Sequence, residues 1–108
     1  MTDSNPATGP IYSDFRDEAD MLDLIELFVD DMEGRVESLR AALDGADWRK
    51  LTTLAHQLKG ASGGYGFSPV GEAAGRLEAT LRDGELEDVE RVRAQTDEVI
   101  DLCNRVRA

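Results

Sequence analysis

The sequence predicts an all-α protein: an antiparallel up-down-up-down four-helix bundle, with a short N-terminal arm or extra helical turn in front of it. Three observations carry this. Apolar residues recur at intervals of three and four along most of the chain, which gathers them onto one stripe of a helix. Gly, Asp and Pro interrupt the pattern at a few places and leave links of only a few residues, and short links make consecutive helices antiparallel neighbours. No segment shows the period-2 alternation of a strand. A coiled-coil oligomer is the alternative, but only the first helix keeps a clean 3.5 repeat, whereas four unlike helices can hide their stripes within one chain.

Residues 1–12 are rich in Ser, Thr, Asn, Pro and Gly with nothing periodic to bury, so they read as a flexible or loosely docked arm ahead of a bundle domain over 13–108. The first helix is expected over 17–44, where Leu22, Ile25, Val29, Met32, Val36, Leu39 and Leu43 step by 3, 4, 3, 4, 3 and 4. Met21, Leu24 and Phe28, on its other side, read as core under the arm, with a docking surface as the alternative. Gly45 serves as the C′ stop and Asp47 as the N-cap of the second helix. That helix runs from 47 into the 60s on an inward face of Trp48, Leu51, Leu54, Ala55, Leu58 and Tyr65, and its far end, GASGGYG, frays or turns. Ser68 and Pro69 supply an N-cap and an N1 proline for the third helix, whose stripe is Val70, Ala73, Ala74, Leu77 and Leu81. Asp83-Gly84 ends it. Leu86, Val89, Val92, Thr96, Val99, Cys103 and Val106 give a fourth helix up to the C-terminus.

With 108 residues, 41 % of them hydrophobic and 32 % charged, the chain has the balance of one globular domain, not of a disordered segment. Twenty-three Asp and Glu against 12 Lys and Arg leave a net charge of −11, which argues against a nucleic-acid surface and for protein partners. Cys103 alone closes no internal disulfide, and His56 alone cannot supply a His/Cys ligand set, so no metal site is expected. The N-terminus lacks a secretion signal and no run approaches a membrane span, so the expectation is a soluble, cytoplasmic, monomeric protein with no membrane contact.

His56 is the residue that points to chemistry. At about 100° per residue the apolar stripe of the second helix centres roughly 155° away from it, so the ring faces outward and not into the core. A casual surface histidine is the plain alternative. Thr52 and Thr53 lie one turn before it, Lys59 and Gly60 one turn after, and Gly63 and Gly64 beyond. Glycine inside a helix costs roughly 1 kcal/mol relative to alanine, so this run suggests a surface that something approaches closely, with a frayed helix end as the alternative. Trp48 to Gly66 contains Arg49, Lys50 and Lys59 but no Asp or Glu, a positive island in an acidic chain. A phosphoryl group on His56 would bring about two negative charges, which a Lys one turn along can pair with. Glu78, at the edge of the third helix's stripe, reads as a carboxylate that could fix the Nδ1–H tautomer and leave Nε2 as the nucleophile, or as a solvated flank charge. Gly71 and Gly75 would let the third helix come close.

The run Ala55-His56-Gln57-Leu58-Lys59-Gly60, with Gly66 after it and Leu77-Glu78 on the next helix, resembles the histidine-containing phosphotransfer (HPt) domain family of bacterial multistep phosphorelays. The resemblance implies that His56 is phosphorylated at Nε2 by a receiver-domain aspartate and hands the group to another receiver. It further implies that Lys59 contacts the phosphoryl group, that Gly60 leaves room for the receiver, and that Glu78 holds Nδ1. Thr52, Thr53, Gly63 and Gly64 then belong to the partner-docking face. The expected partners are response-regulator receiver domains and a hybrid sensor histidine kinase. The chain has no phosphate-binding glycine loop followed by Lys-Ser/Thr, so it is expected to be a phosphocarrier without autokinase activity. No intrinsic cofactor is expected, Mg²⁺ being supplied by the receiver.

Two other classes compete. A hydrolase would use Ser62 or Cys103 as nucleophile with His56 as base, but Ser62 sits about 240° round the helix from His56 and Cys103 lies on an apolar stripe. An acidic helical adaptor that binds a protein partner without phosphotransfer accounts for the bundle and the charge. It leaves the positive island and the spacing of Lys59 and Glu78 without a reason.

Overall fold

The computed structural model describes residues 9–83 and 88–108. Residues 1–8 of the expected arm, together with Gly84 and Leu86, lie outside the described residues. The described chain is mainly helical. A 3₁₀ turn at Ala19–Met21 leads into α1 (Leu22–Asp30) and α2 (Met32–Asp44), followed by α3 (Trp48–Gly64), α4 (Ser68–Arg82) and α5 (Val89–Arg105). α3 packs on α4, α4 on α5, α5 on α2 and α2 on α3, so four helices close a ring around one core. That core is built from the predicted stripes, with Leu39, Leu51, Leu58, Leu77, Val92 and Val99 essentially inaccessible to solvent.

The single first helix expected over 17–44 is not continuous. It is a 3₁₀ turn and two α-helices joined at Asp31, whose ψ of −12° departs from helical geometry. The backbone ladder still runs through the joint, since Asp31 N–H donates to Leu27 O and Arg35 N–H to Asp31 O. The buried stripe explains the bend. Phe28, not Val29, is the buried residue, and its ring packs 5.2 Å from those of both Tyr65 and Phe67. That aromatic cluster draws α1 to the end of α3, while α2 is held between α3 and α5. As a result Leu22, expected inside, is 43 % exposed, as is Leu24, whereas Met21 packs against the core.

A second departure is a strand pair where none was expected. β1 (Ile11–Tyr12) pairs in parallel with β2 (Val106–Arg107). The fourth helix accordingly stops at Arg105, and Val106 turns extended (ψ 144°) while remaining buried. Arg105 Nε also donates to Gly9 O at 2.9 Å, so residues 9–12 are docked onto the C-terminal end. Two residues are too few to show an alternation, and so carry no strand signal.

The helix ends follow capping chemistry with two shifts. Asp47 caps α3 as expected, its carboxylate accepting from Lys50 N–H at 3.1 Å. Gly45 is the C-cap of α2 at φ −87°, and the left-handed C′ position falls on Ala46 at φ 52°. There Asp47 N–H reaches Ala42 O and Ala46 N–H reaches Leu43 O, a Schellman closure. Alanine pays a steric cost in this conformation that glycine does not. Ala46→Gly is expected to raise the unfolding free energy by about 0.5–1 kcal/mol, measured by urea denaturation, after allowing for glycine's greater freedom in the unfolded chain. Ser68, expected as the N-cap of the third helix, is instead its first residue. The cap is the buried Phe67, which makes no side-chain cap bond, and Pro69 occupies the first turn, where no N–H is needed.

The run expected to fray or turn takes the second course. α3 stays helical through Gly64 and closes at Gly66, φ +82°, with Phe67 N–H on Ser62 O at 2.8 Å. The N-terminal segment sits directly on this turn: Ser13 Oγ donates to Tyr65 O at 2.6 Å, and Asp14 N–H donates to Gly66 O at 2.9 Å. Gly66 is therefore a structural glycine, whereas a Cβ on Gly60, Gly63 or Gly64 would meet nothing within 4 Å.

Candidate functional site

One face of α3 and one edge of α4 supply the site. His56 stands outward, its side chain 65 % exposed, with Nδ1 2.9 Å from Glu78 Oε2. Glu78 is otherwise hidden, its side chain only 8 % exposed. The two helices can meet here because α4 is thin where it crosses α3. A Cβ on Gly71 would already lie 3.4 Å from Lys59 O and from the Ser62 Cβ, and one on Gly75 would lie 3.5 Å from Lys59 Cδ. The Lys59 stem thus lies along α4 over Gly75, and its Nζ comes to 3.8 Å from Glu78 Oε1.

Arg82 is a further member that the sequence reading missed. Its Nε donates to the same Glu78 oxygen at 2.7 Å. The signal was present as an i, i+4 Glu-to-Arg pair on one helix face. The Arg82 hydrogen bond is the largest influence holding the Glu78 carboxyl below its ordinary range, followed by burial, which opposes it, and then by the bond to His56. An ionised carboxylate offers only acceptors, so the Nδ1 bond requires Nδ1–H, and in the neutral ring the free lone pair then lies on Nε2.

The remaining predicted residues surround this cluster without joining it. Thr52 and Thr53 direct their hydroxyls to the helix carbonyls of Trp48 and Arg49, at 2.7 and 3.2 Å. With Trp48, Arg49, Leu81 and Arg82 they line a shallow groove between α3 and α4. Gly60, Gly63 and Gly64 form an open strip along α3 on the far side of His56.

The two nucleophiles considered for a hydrolase are remote from solvent. Ser62 is fully buried, and the Cys103 thiol is buried and pushed up to about 12 by desolvation. Among the described residues no group of three or more His, Cys, Asp or Glu is placed to hold a metal ion, and no helix is long and apolar enough to cross a membrane.

No curated protein and no solved structure matches this chain. The family model described as the Hpt domain matches residues 23–108, a span that runs from α1 through β2 and contains the whole His56, Lys59, Glu78 and Arg82 cluster. An outward histidine fixed by a buried carboxylate on a helical bundle is thus found within the matched span, and the chain belongs to the Hpt domain family of histidine phosphotransfer modules in phosphorelays.

Proposed function

We propose that this protein accepts a phosphoryl group on His56 from the phosphorylated aspartate of one receiver domain and passes it to another, as a cytoplasmic, monomeric intermediate of a multistep phosphorelay. In the accepting step the lone pair of Nε2 attacks phosphorus, the Nε2–P bond forms, and the P–O bond to the aspartate breaks, returning its electron pair to the receiver's carboxylate. The ring becomes an imidazolium whose Nδ1 proton is held by Glu78. Mg²⁺ bound by the receiver neutralises charge during the transfer, and Lys59 contacts the phosphoryl group once it arrives. A hybrid sensor kinase charges the first receiver, and the protein itself carries the group without autokinase activity. The ring of helix contacts and the short links support an up-down-up-down course for the bundle, which turns the face of α3 to an incoming partner.

The observation that carries this reading is the pairing of an exposed imidazole with a buried, ionised carboxylate on Nδ1. A surface histidine without a role needs no such support. The test is to mix the protein with a phosphorylated receiver domain and Mg²⁺ and probe for acid-labile, base-stable label. Label is expected from the receiver and none from ATP alone. Absence of label from any receiver would favour the acidic adaptor.

The open strip on α3 gives a separate expectation. Gly60→Ala fills no occupied space and gains about 1 kcal/mol of helix propensity, so the variant is expected to unfold at higher urea. Its phosphotransfer from the receiver is nevertheless expected to slow, because a methyl group now stands where the partner's surface approaches. Unchanged transfer would remove Gly60 from the docking face.

A further inference from the structure

Glu78 Oε2 accepts two hydrogen bonds at once, from His56 Nδ1 at 2.9 Å and from Arg82 Nε at 2.7 Å. The carboxylate is 8 % exposed while the Arg82 side chain is 59 % exposed, so an exposed surface cation draws on the same electron density that holds the ring proton. Building on the proposed phosphorylation of His56, we propose that Arg82 is a positioning residue that sets the lifetime of the phosphohistidine by weakening the hold of Glu78 on its Nδ1 proton.

The chemistry follows from the leaving group. When water attacks the phosphorylated ring, its oxygen bonds to phosphorus as the Nε2–P bond breaks and the electron pair returns to Nε2. A proton of that water goes to solvent, and inorganic phosphate is released. With Nδ1 protonated the ring leaves as neutral imidazole; with Nδ1 bare it would leave as imidazolate, a much poorer leaving group. Whatever strengthens the Glu78 carboxylate as an acceptor therefore shortens the lifetime of the P–N bond, and whatever competes for its oxygen lengthens it.

The charged groups around the ring make Arg82 the natural regulator. From α4, Glu78 and Arg82 face it, and from its own helix Lys59 approaches the other oxygen at the looser distance of 3.8 Å. Arg49 lines the groove that Arg82 also lines, and on the opposite flank of α3 Asp31 and Arg35 of the α1–α2 unit line a second groove with Gln57. Arg76, on the same helix as Arg82, pairs instead with Glu98 at 3.2 Å and serves as a control for net charge.

The test labels the ring chemically with phosphoramidate, so it does not depend on any receiver donating to this protein. Hydrolysis of the phosphohistidine is followed by ³¹P NMR between about pH 5 and pH 9. In Arg82→Met the rate is expected to match the parent at the acid end and to run about three- to tenfold faster at the alkaline end, where the firmer hold of Glu78 keeps Nδ1 protonated in a larger share of the molecules. Arg76→Met is expected to behave as the parent, and Arg82→Lys to lie between the two. In a Glu78→Gln background, Arg82→Met should change nothing, because the shared oxygen no longer carries charge. Equal acceleration at every pH would mean that Arg82 contacts the phosphoryl group directly and would overturn the proposal, as would an Arg82 effect that survives in the Gln background.

Discussion

A His56→Gln protein mixed with a phosphorylated receiver domain and Mg²⁺ is expected to take up no acid-labile, base-stable label, a complete loss against the parent. Glutamine keeps a polar side chain on the exposed face of α3, so the fold is not threatened; circular dichroism and the urea midpoint should stay with those of the parent. What it removes is the nucleophilic lone pair on Nε2, for which an amide is no substitute. Lys59→Ala is the contrasting case. Its ammonium already lies close to the Glu78 carboxylate, at 3.8 Å, and its stem rests over Gly75, so the variant loses a cation available to a phosphoryl group but leaves the nucleophile and its tautomer in place. A charge-assisted contact of about 1.5–3 kcal/mol converts to roughly ten- to a hundredfold in transfer rate, a partial loss readily separated from zero. Label on the His56→Gln protein would place the acceptor elsewhere and refute the assignment.

Gly66→Ala is expected to produce the largest loss of stability of any single methyl addition in the α3–α4 connection. Two costs combine. At φ +82° an alanine is strained in any surroundings, by about 1–2 kcal/mol. The added Cβ would also stand 2.6 Å from Ser13 Oγ, 3.0 Å from the Asp14 backbone nitrogen and 3.0 Å from Phe15 Cδ2. Ser13 cannot swing aside freely, because its hydroxyl donates to Tyr65 O and accepts from Phe15 N–H. The N-terminal segment must lift from the turn, and overpacking of this kind costs a further 1–3 kcal/mol or so. A total of about 2–5 kcal/mol corresponds to a fall in Tm on the order of 10–25 °C for a domain of this size, measurable by calorimetry. Gly64→Ala, two residues earlier on the helix with open space around its Cβ, is expected to be neutral or mildly stabilising. A Gly66→Ala protein that melts with the parent would show that the segment is not seated on this turn.

The contrast between these two glycines marks how far the sequence could be read. Both belong to GASGGYG, and local pattern treats them alike. One terminates a helix and receives the N-terminal segment, while the other lies open on the face of His56; which is which depends on where residues 13–15 come to rest, some fifty positions away along the chain. The same limit applies to Phe28. Its spacing fits the core stripe no better than that of Val29, and the choice was made by Tyr65 and Phe67 at the far end of α3. The break at Asp31 follows from that choice.

The sequence by itself determined the helical character of the chain, most of the stripes of α3, α4 and α5 that face inward, and the outward aspect of His56, because each depends on a repeat of 3.6 residues that is complete within a few turns. Only the tertiary structure decided that Glu78 reaches Nδ1, that Arg82 shares the same oxygen, and that Ile11–Tyr12 and Val106–Arg107 pair as strands. Those features depend on how far apart two helices lie and how each is rotated about its axis. Distance and rotation are set by the summed packing of residues remote in sequence, among them the small Gly71 and Gly75 that let α4 close on α3, and no local period encodes that sum.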